Sequence, residues 1–197
     1  MYTKRVFLCW CHSIGMPSLL IFVYMTSPLI LTLQLSPAAT DHFNQLRRTW
    51  YPAYANVVDA HLTLFHRLPA DVYRSGHAFA AIPAPAVFTL EVTGLQRYPH
   101  GVAYTLFAAP LLEWHQSLQQ QWASLLIWRD QQPLQPHITI MNKVTAWKAQ
   151  QVYKKLLADF QPPVVEAIGV QWWRFEKGPW TLVDTWPFAR PGVSYLA

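Results

Sequence analysis

The chain reads as an α+β protein built in two comparable halves, on three observations. Extended and helical patterns alternate along the 197 residues, and 52% of residues are hydrophobic against 13% charged, the balance of a chain with a real core. One short pattern also occurs once in each half: histidine, apolar, threonine, apolar, as His61-Leu62-Thr63-Leu64 and His137-Ile138-Thr139-Ile140. The length suits one domain with two lobes.

Residues 1–26 stand apart from that body. They carry Lys4-Arg5 and then an apolar run from Val6 to Tyr24, which superficially resembles the charged and apolar regions of a signal peptide. His12, Ser13, Gly15 and Pro17 interrupt the run, no small-x-small cleavage site precedes the first strand, and the run is marginal as a membrane span. The favoured expectation is that Met25 is the true start and that the upstream residues come from an over-extended reading frame; a signal or an anchor is the alternative. The expected domain covers 27–190, with a tail at 191–197.

Within the body, residues 29–35 read as a first strand. Ser36-Pro37 supplies an N-cap residue and a proline at the first helical position, predicting a helix to about Trp50. A loop follows to Asp59, then the first motif strand over 60–66 and a short helical or irregular stretch through Ala81. Ile82-Pro83-Ala84-Pro85 marks a break, after which 87–93 and 102–107 read as strands joined around Tyr98-Pro99-His100-Gly101. A helix over 110–126 leads to the second motif strand, another runs from Val144 to about Phe160, and 164–175 and 180–185 form a closing pair of strands around Gly178-Pro179.

Strand geometry gives the repeated pattern its meaning. Successive side chains in an extended chain alternate faces, so each histidine points the same way as the threonine two residues on, while the aliphatics point to the core. Side by side, the two segments would bring two imidazoles and two hydroxyls to one cleft. That set suits phosphodiester chemistry: one histidine takes a proton, the other gives one, and hydroxyls hold phosphate oxygens. The bare tripeptide is weak evidence, because a third copy, His115-Gln116-Ser117, lies in a helical pattern and reads as a surface histidine. The apolar interleaving is what distinguishes the other two.

Charge and cysteine content narrow the alternatives. The net charge is +5, and without Lys4 and Arg5 there remain 13 basic and 10 acidic residues, a mild excess that fits an anionic substrate but lacks the basic stripe of a duplex binder. The only cysteines, Cys9 and Cys11, precede the body, which excludes a disulfide, a thiol nucleophile or a cysteine zinc site from it. His61 and His66, five apart, face opposite sides of a regular strand, so no metal is expected. Ten tryptophans among 29 aromatic residues exceed the needs of a core this size, which leaves some as stacking platforms.

The chain resembles the 2H phosphoesterase superfamily, and more closely its bacterial 2′-5′ RNA ligase branch. The likeness rests on His61-Leu62-Thr63-Leu64-Phe65, on Pro136-His137-Ile138-Thr139-Ile140, and on the late Trp173-Arg174-Phe175 with Gly178-Pro179-Trp180, and it spans about residues 28–186. It implies a bilobal fold of two pseudo-symmetric β/α lobes, with antiparallel sheets around a central groove that holds both histidines. It also implies chemistry without metal or cofactor on 2′,3′-cyclic phosphates of RNA ends or nucleotides, opening them to a 2′-phosphate, and in some members the joining of RNA ends through 2′-5′ linkages. The chain departs from the branch after the first motif, where Phe65-His66-Arg67-Leu68-Pro69 replaces a Phe-Leu-Gly-like segment.

By that resemblance His137 is the base and His61 the acid of hydrolysis, and Thr63 and Thr139 bind phosphate oxygens. Parity adds Phe65, on the His61 face, as a base-stacking candidate, and Lys143, on the His137 face if the strand persists that far, as a phosphate contact; Arg174 is a further candidate. A cytoplasmic monomer is expected, with membrane association only if residues 1–26 are genuine. The rivals are a non-catalytic RNA or nucleotide-binding module with the same groove, and a membrane-anchored interaction domain.

Overall fold

Strand β1 (Leu29–Leu35) has six of its seven residues buried, because it lies inside a sheet covered on both faces. The computed structural model describes residues 27–74, 79, 81–175 and 179–190, so the expectations for 1–26, for 191–197 and for Gly178 lie outside the described residues. After β1 come α1 (Pro37–Trp50), β2 (Leu62–Leu68), α2 (Ala70–Arg74), β3 (Phe88–Tyr98), β4 (Gly101–Phe107), α3 (Ala109–Gln121), β5 (His137–Met141), α4 (Ala146–Ala158), β6 (Val165–Arg174) and β7 (Thr181–Pro187). Every strand pair is antiparallel, as the α+β expectation requires.

The strands run in the order β2-β1-β6-β3-β4-β5, with β7 paired to β6. Strand β3 is the joint, and it continues past the predicted Thr93 to Tyr98. Its Phe88–Leu90 pairs with β6, whereas Glu91 to Tyr98 pairs with β4. The sheet therefore divides into a first lobe, β2-β1-β6-β7, and a second, β3-β4-β5.

Each lobe is backed by a helix that the other lobe's connectivity delivers. Helix α1 follows β1 of the first lobe, yet its Phe43 packs edge-on against Tyr104 of β4 at 5.3 Å. Helix α3 follows β4 of the second lobe, yet its His115 stacks on Phe65 of β2 at 4.5 Å. This exchange relates the lobes by a pseudo-twofold and ties the two motif strands to one scaffold. Proline opens α1 and α3 where a missing N–H costs nothing, and α4 is capped by the Thr145 hydroxyl, which accepts from the Lys148 amide.

Trp172, fully buried, centres the first lobe, with Tyr73, Phe79 and Trp186 around it. Most of the aromatic excess is thus packing; Tyr54, Trp128 and Trp147 are the large exceptions, 75%, 75% and 71% exposed. Among the described residues no helix is long and apolar enough to cross a membrane.

Candidate functional site

The second motif strand behaves as parity demands. Along β5 the burial alternates, with His137 and Thr139 half-buried and Ile138 and Ile140 fully buried. Register carries the facing across the sheet, where His137 lies beside Thr105 and Ile138 beside the core residue Tyr104.

The first motif strand obeys parity only to Leu64. Thr32 pairs with Thr63 but Leu31 pairs with Phe65, so Leu64 is an extra residue opposite β1, and a second shift follows before Leu29 meets Leu68. A bulge of this kind turns the next side chain through to the other face. Phe65 is consequently in the core, 0% exposed, against His115 and Trp122, and is not the stacking surface that alternation predicted. His66 takes the groove side instead, with Thr63. The inference that His61 and His66 face apart fails for the same reason.

The bulge also explains what covers the edge of β2. The adjacent amides of His66 and Arg67 both point outward, and the carboxylate of Asp130 accepts them at 2.9 and 2.9 Å. The same carboxylate accepts the His66 Nδ1–H at 2.9 Å. Burial alone would raise the Asp130 pKa, but these bonds outweigh it and hold the group below the ordinary carboxylate range.

The two motif histidines share one geometry. His61 Nδ1 lies 2.7 Å from the carbonyl of Asp59, and His137 Nδ1 lies 2.8 Å from the carbonyl of Gln135, in each case two residues back. A carbonyl only accepts, so Nδ1 carries the hydrogen in both rings and Nε2 is the atom left for proton transfer. The lobes thus present the same tautomer twice.

Their surroundings differ. His61 lines a cavity of about 300 Å³ with Gln171, Trp173 and Trp180, and the Trp180 ring sits 4.6 Å from its own. His137 and Thr63 line another, of about 260 Å³, together with His66, Arg129 and Asp130. As His61 and Thr63 are alternate residues of one chain segment, the two cavities follow each other along the groove. Thr139 lines neither.

Beneath the groove lies Arg47 of α1, 4% exposed. It donates to the carbonyl of Thr139 at 2.7 Å and to that of Val58 at 2.7 Å, so one guanidinium ties the second motif to the segment leading into the first. His115 does the converse from α3, donating Nε2–H to the carbonyl of Leu64 at 3.0 Å. Far from being a surface residue, His115 is 3% exposed, and burial lowers its pKa against the opposing effect of that bond.

Burial lowers the His61 pKa from 6.5 to about 4; the bond to Asp59 opposes this, while the charges of Arg47, His137 and His66 add to it. In the unfolded chain His61 takes its proton near pH 6.5, and in the fold near pH 4, so between these values the unfolded state binds more protons and stability falls as pH falls. Urea denaturation should show wild type losing about 2 to 3 kcal/mol more than His61→Asn between pH 7 and pH 4. Equal losses would remove His61 as the source.

Strand parity does not bring two other sequence candidates to the groove. β5 ends at Met141, and Lys143 lies beyond it in a turn with φ 59°, its amide donating to the Asn142 side chain, so strand parity does not carry to it. Arg174 pairs with Leu29 in a run of regular register to Gly169, which puts it on the Trp172 face, opposite Gln171 and Trp173 of the His61 cavity. Arg47, His66, Asp130, Arg129 and Trp173 escaped the sequence-based site list. His66 had left a signal, as the residue standing in the departure after the first motif, and Trp173 and Trp180 had one in the Trp173-Arg174-Phe175 and Gly178-Pro179-Trp180 signatures. No group of three or more His, Cys, Asp or Glu among the described residues is placed to hold a metal ion.

The two antiparallel lobes have the fold of the 2H phosphoesterase class. Within it, the chain belongs to the 2′-5′ RNA ligase superfamily, whose family model matches residues 35–179. No curated protein matches it in sequence. Among solved structures, E. coli LigT in its apo form superposes with a TM-score of 0.54 at 17% identity, over 84% of this chain and 99% of LigT. The Thermus thermophilus protein TT0787 does so with a TM-score of 0.56 at 18% identity, over 83% and 99%. LigT complexed with 3′-AMP gives 0.55 at 17% identity, over 84% and 99%. At these identities the likeness establishes the bilobal fold.

Proposed function

We propose that the protein is a phosphodiesterase that opens 2′,3′-cyclic phosphates of RNA ends or nucleotides to 2′-phosphates, with His61 as the acid and His137 as the base. The observation that carries this is the matched pair of Nδ1–carbonyl bonds, which leaves an Nε2 on each lobe free for proton transfer. The superfamily membership and the LigT complexes with 3′-AMP and with phosphate support it.

In the hydrolytic direction His137 Nε2 takes a proton from water as its oxygen attacks phosphorus. The bond from phosphorus to O3′ breaks, and His61 Nε2 gives its proton to O3′, leaving a 2′-phosphate. Thr63 and Thr139 hold the non-bridging oxygens as charge builds on them. A 5′-hydroxyl in place of water, with the same groups, forms a 2′-5′ linkage, the direction the superfamily's name favours.

With a pKa of about 4, His61 is neutral at pH 7, so as the acid it must gain its proton with the substrate. A phosphate anion supplies the reason: burial is the main influence that holds the pKa down, with nearby positive charges adding to it, and an anion beside the ring stabilises the imidazolium against both. Calorimetry of 2′-AMP binding in buffers of different ionisation heat should therefore show net proton uptake at about pH 7.5, where the ligand phosphate, with a second pKa of about 6, is already a dianion. No uptake would reverse the assignment and make His61 the base.

The function is tested by incubating the purified protein with 2′,3′-cyclic AMP in EDTA and resolving the products. The expected product is 2′-AMP alone; 3′-AMP, or no product from cyclic mononucleotide or cyclic-phosphate-ended RNA, would refute the proposal and favour the binding-module reading.

A further inference from the structure

A third imidazole faces the groove, and two-histidine chemistry does not use it. The Asp130 carboxylate accepts the His66 Nδ1–H, so the remaining ring nitrogen, Nε2, is the one available to the cavity that His66 shares with Thr63 and His137. Asp130 is 3% exposed and both its oxygens are occupied by the ring and amide of His66 and the amide of Arg67. Among the described residues Asp130 is the one acid lining that cavity, and it is therefore spent. Arg129, next in sequence, lines the same cavity and adds a cation.

The segment that carries them is braced as a built feature. Gln119 of α3 donates to the carbonyls of Asp130 and Gln132 at 2.8 and 2.7 Å, and the Gln131 and Gln132 side chains bond back to the carbonyls of Leu126 and Trp128. Closing the edge of β2 requires only that Asp130 meet two amides. The added bond to the ring orients an imidazole toward the groove, a service to a ligand rather than to the strand. Two basic groups beside a neutralised acid select an anion.

We infer that His66 and Arg129 form a subsite for a second phosphate of the substrate, one nucleotide position away from the phosphate held between the paired histidines. This rests on the proposed function, and makes the preferred substrate a nucleotide that carries two phosphates, whether as a 5′-phosphate or as the next phosphodiester of an oligonucleotide. His66 would donate from Nε2 when protonated, with Asp130 holding the ring in place.

Equilibrium binding tests it without turnover. Wild type should bind adenosine 3′,5′-bisphosphate, or a dinucleotide ending in a 3′-phosphate, about tenfold more tightly than 3′-AMP; whichever of the two shows the preference identifies the source of the second phosphate. His66→Gln and Arg129→Gln should each reduce that ratio to about two or less, weakening the two-phosphate ligands far more than 3′-AMP. Asp130→Asn, which keeps an acceptor for the ring, should lower the ratio less than His66→Gln. A wild-type ratio of one for both ligands, or variants that weaken 3′-AMP and the two-phosphate ligands equally, would overturn the subsite. A retained ratio in a protein that turns over no cyclic phosphate would instead refute the hydrolase and leave the subsite standing.

Discussion

Replacing His61 or His137 with alanine should each lower kcat for 2′,3′-cyclic AMP by about a thousandfold, the range in which general acid or base catalysis contributes. Each ring supplies one half of a single proton circuit, so the double variant should be about as inactive as either single one, not a millionfold worse. Folding should survive, because neither ring belongs to the core; both are half-buried, each held by a bond to a carbonyl two residues back and an aromatic neighbour, Trp180 for His61 and Tyr98 for His137. Turnover above a tenth of wild type in either variant, with the thermal midpoint unchanged, would contradict the scheme.

The second large effect is expected at Arg47, where stability and chemistry meet. Arg47→Met keeps much of the stem's volume but leaves the carbonyls of Thr139 and Val58 without their donor. Buried acceptors stripped of a charged partner should cost about 2 to 4 kcal/mol in urea denaturation. Arg47→Lys should fall between, since an ammonium cannot span two carbonyls as a planar guanidinium does. Loss of the charge also removes one of the influences that depress the His61 pKa, so that pKa should rise in Arg47→Met and stay low in Arg47→Lys. A Met variant as stable as wild type would mean that the guanidinium is not what joins the two motif strands.

How far the sequence anticipates all this depends on which rule governs each residue. Aliphatic runs and turn residues locate β1, α1 and the hairpin at Pro99-His100, because those elements obey local preferences. The facing of His137 and Thr139 follows from a regular strand. Phe65 and His66 exchange places because Leu64 is inserted against β1, an event set by the partner strand and invisible in a period-two pattern. Lys143 escapes parity by entering a left-handed turn, which a lysine adopts only under tertiary constraint. His115 looks like a solvent-facing helical residue from its polar neighbours, but the exchange of helices between lobes buries it under β2. Arg47 reads as an ordinary basic residue near a helix C-terminus; its partners lie 92 and 11 residues away, beyond the reach of any local pattern.

The central claim is that His61 and His137, from different lobes and from two successive cavities, serve one phosphate. Titrating the 15N-labelled protein with 2′-AMP while following the Nε2 resonances of both rings tests this most directly. The account predicts that both resonances move, fit a single Kd, and that His61→Asn weakens the shift seen at His137. Movement of one ring alone, or two rings with separate affinities, would contradict it.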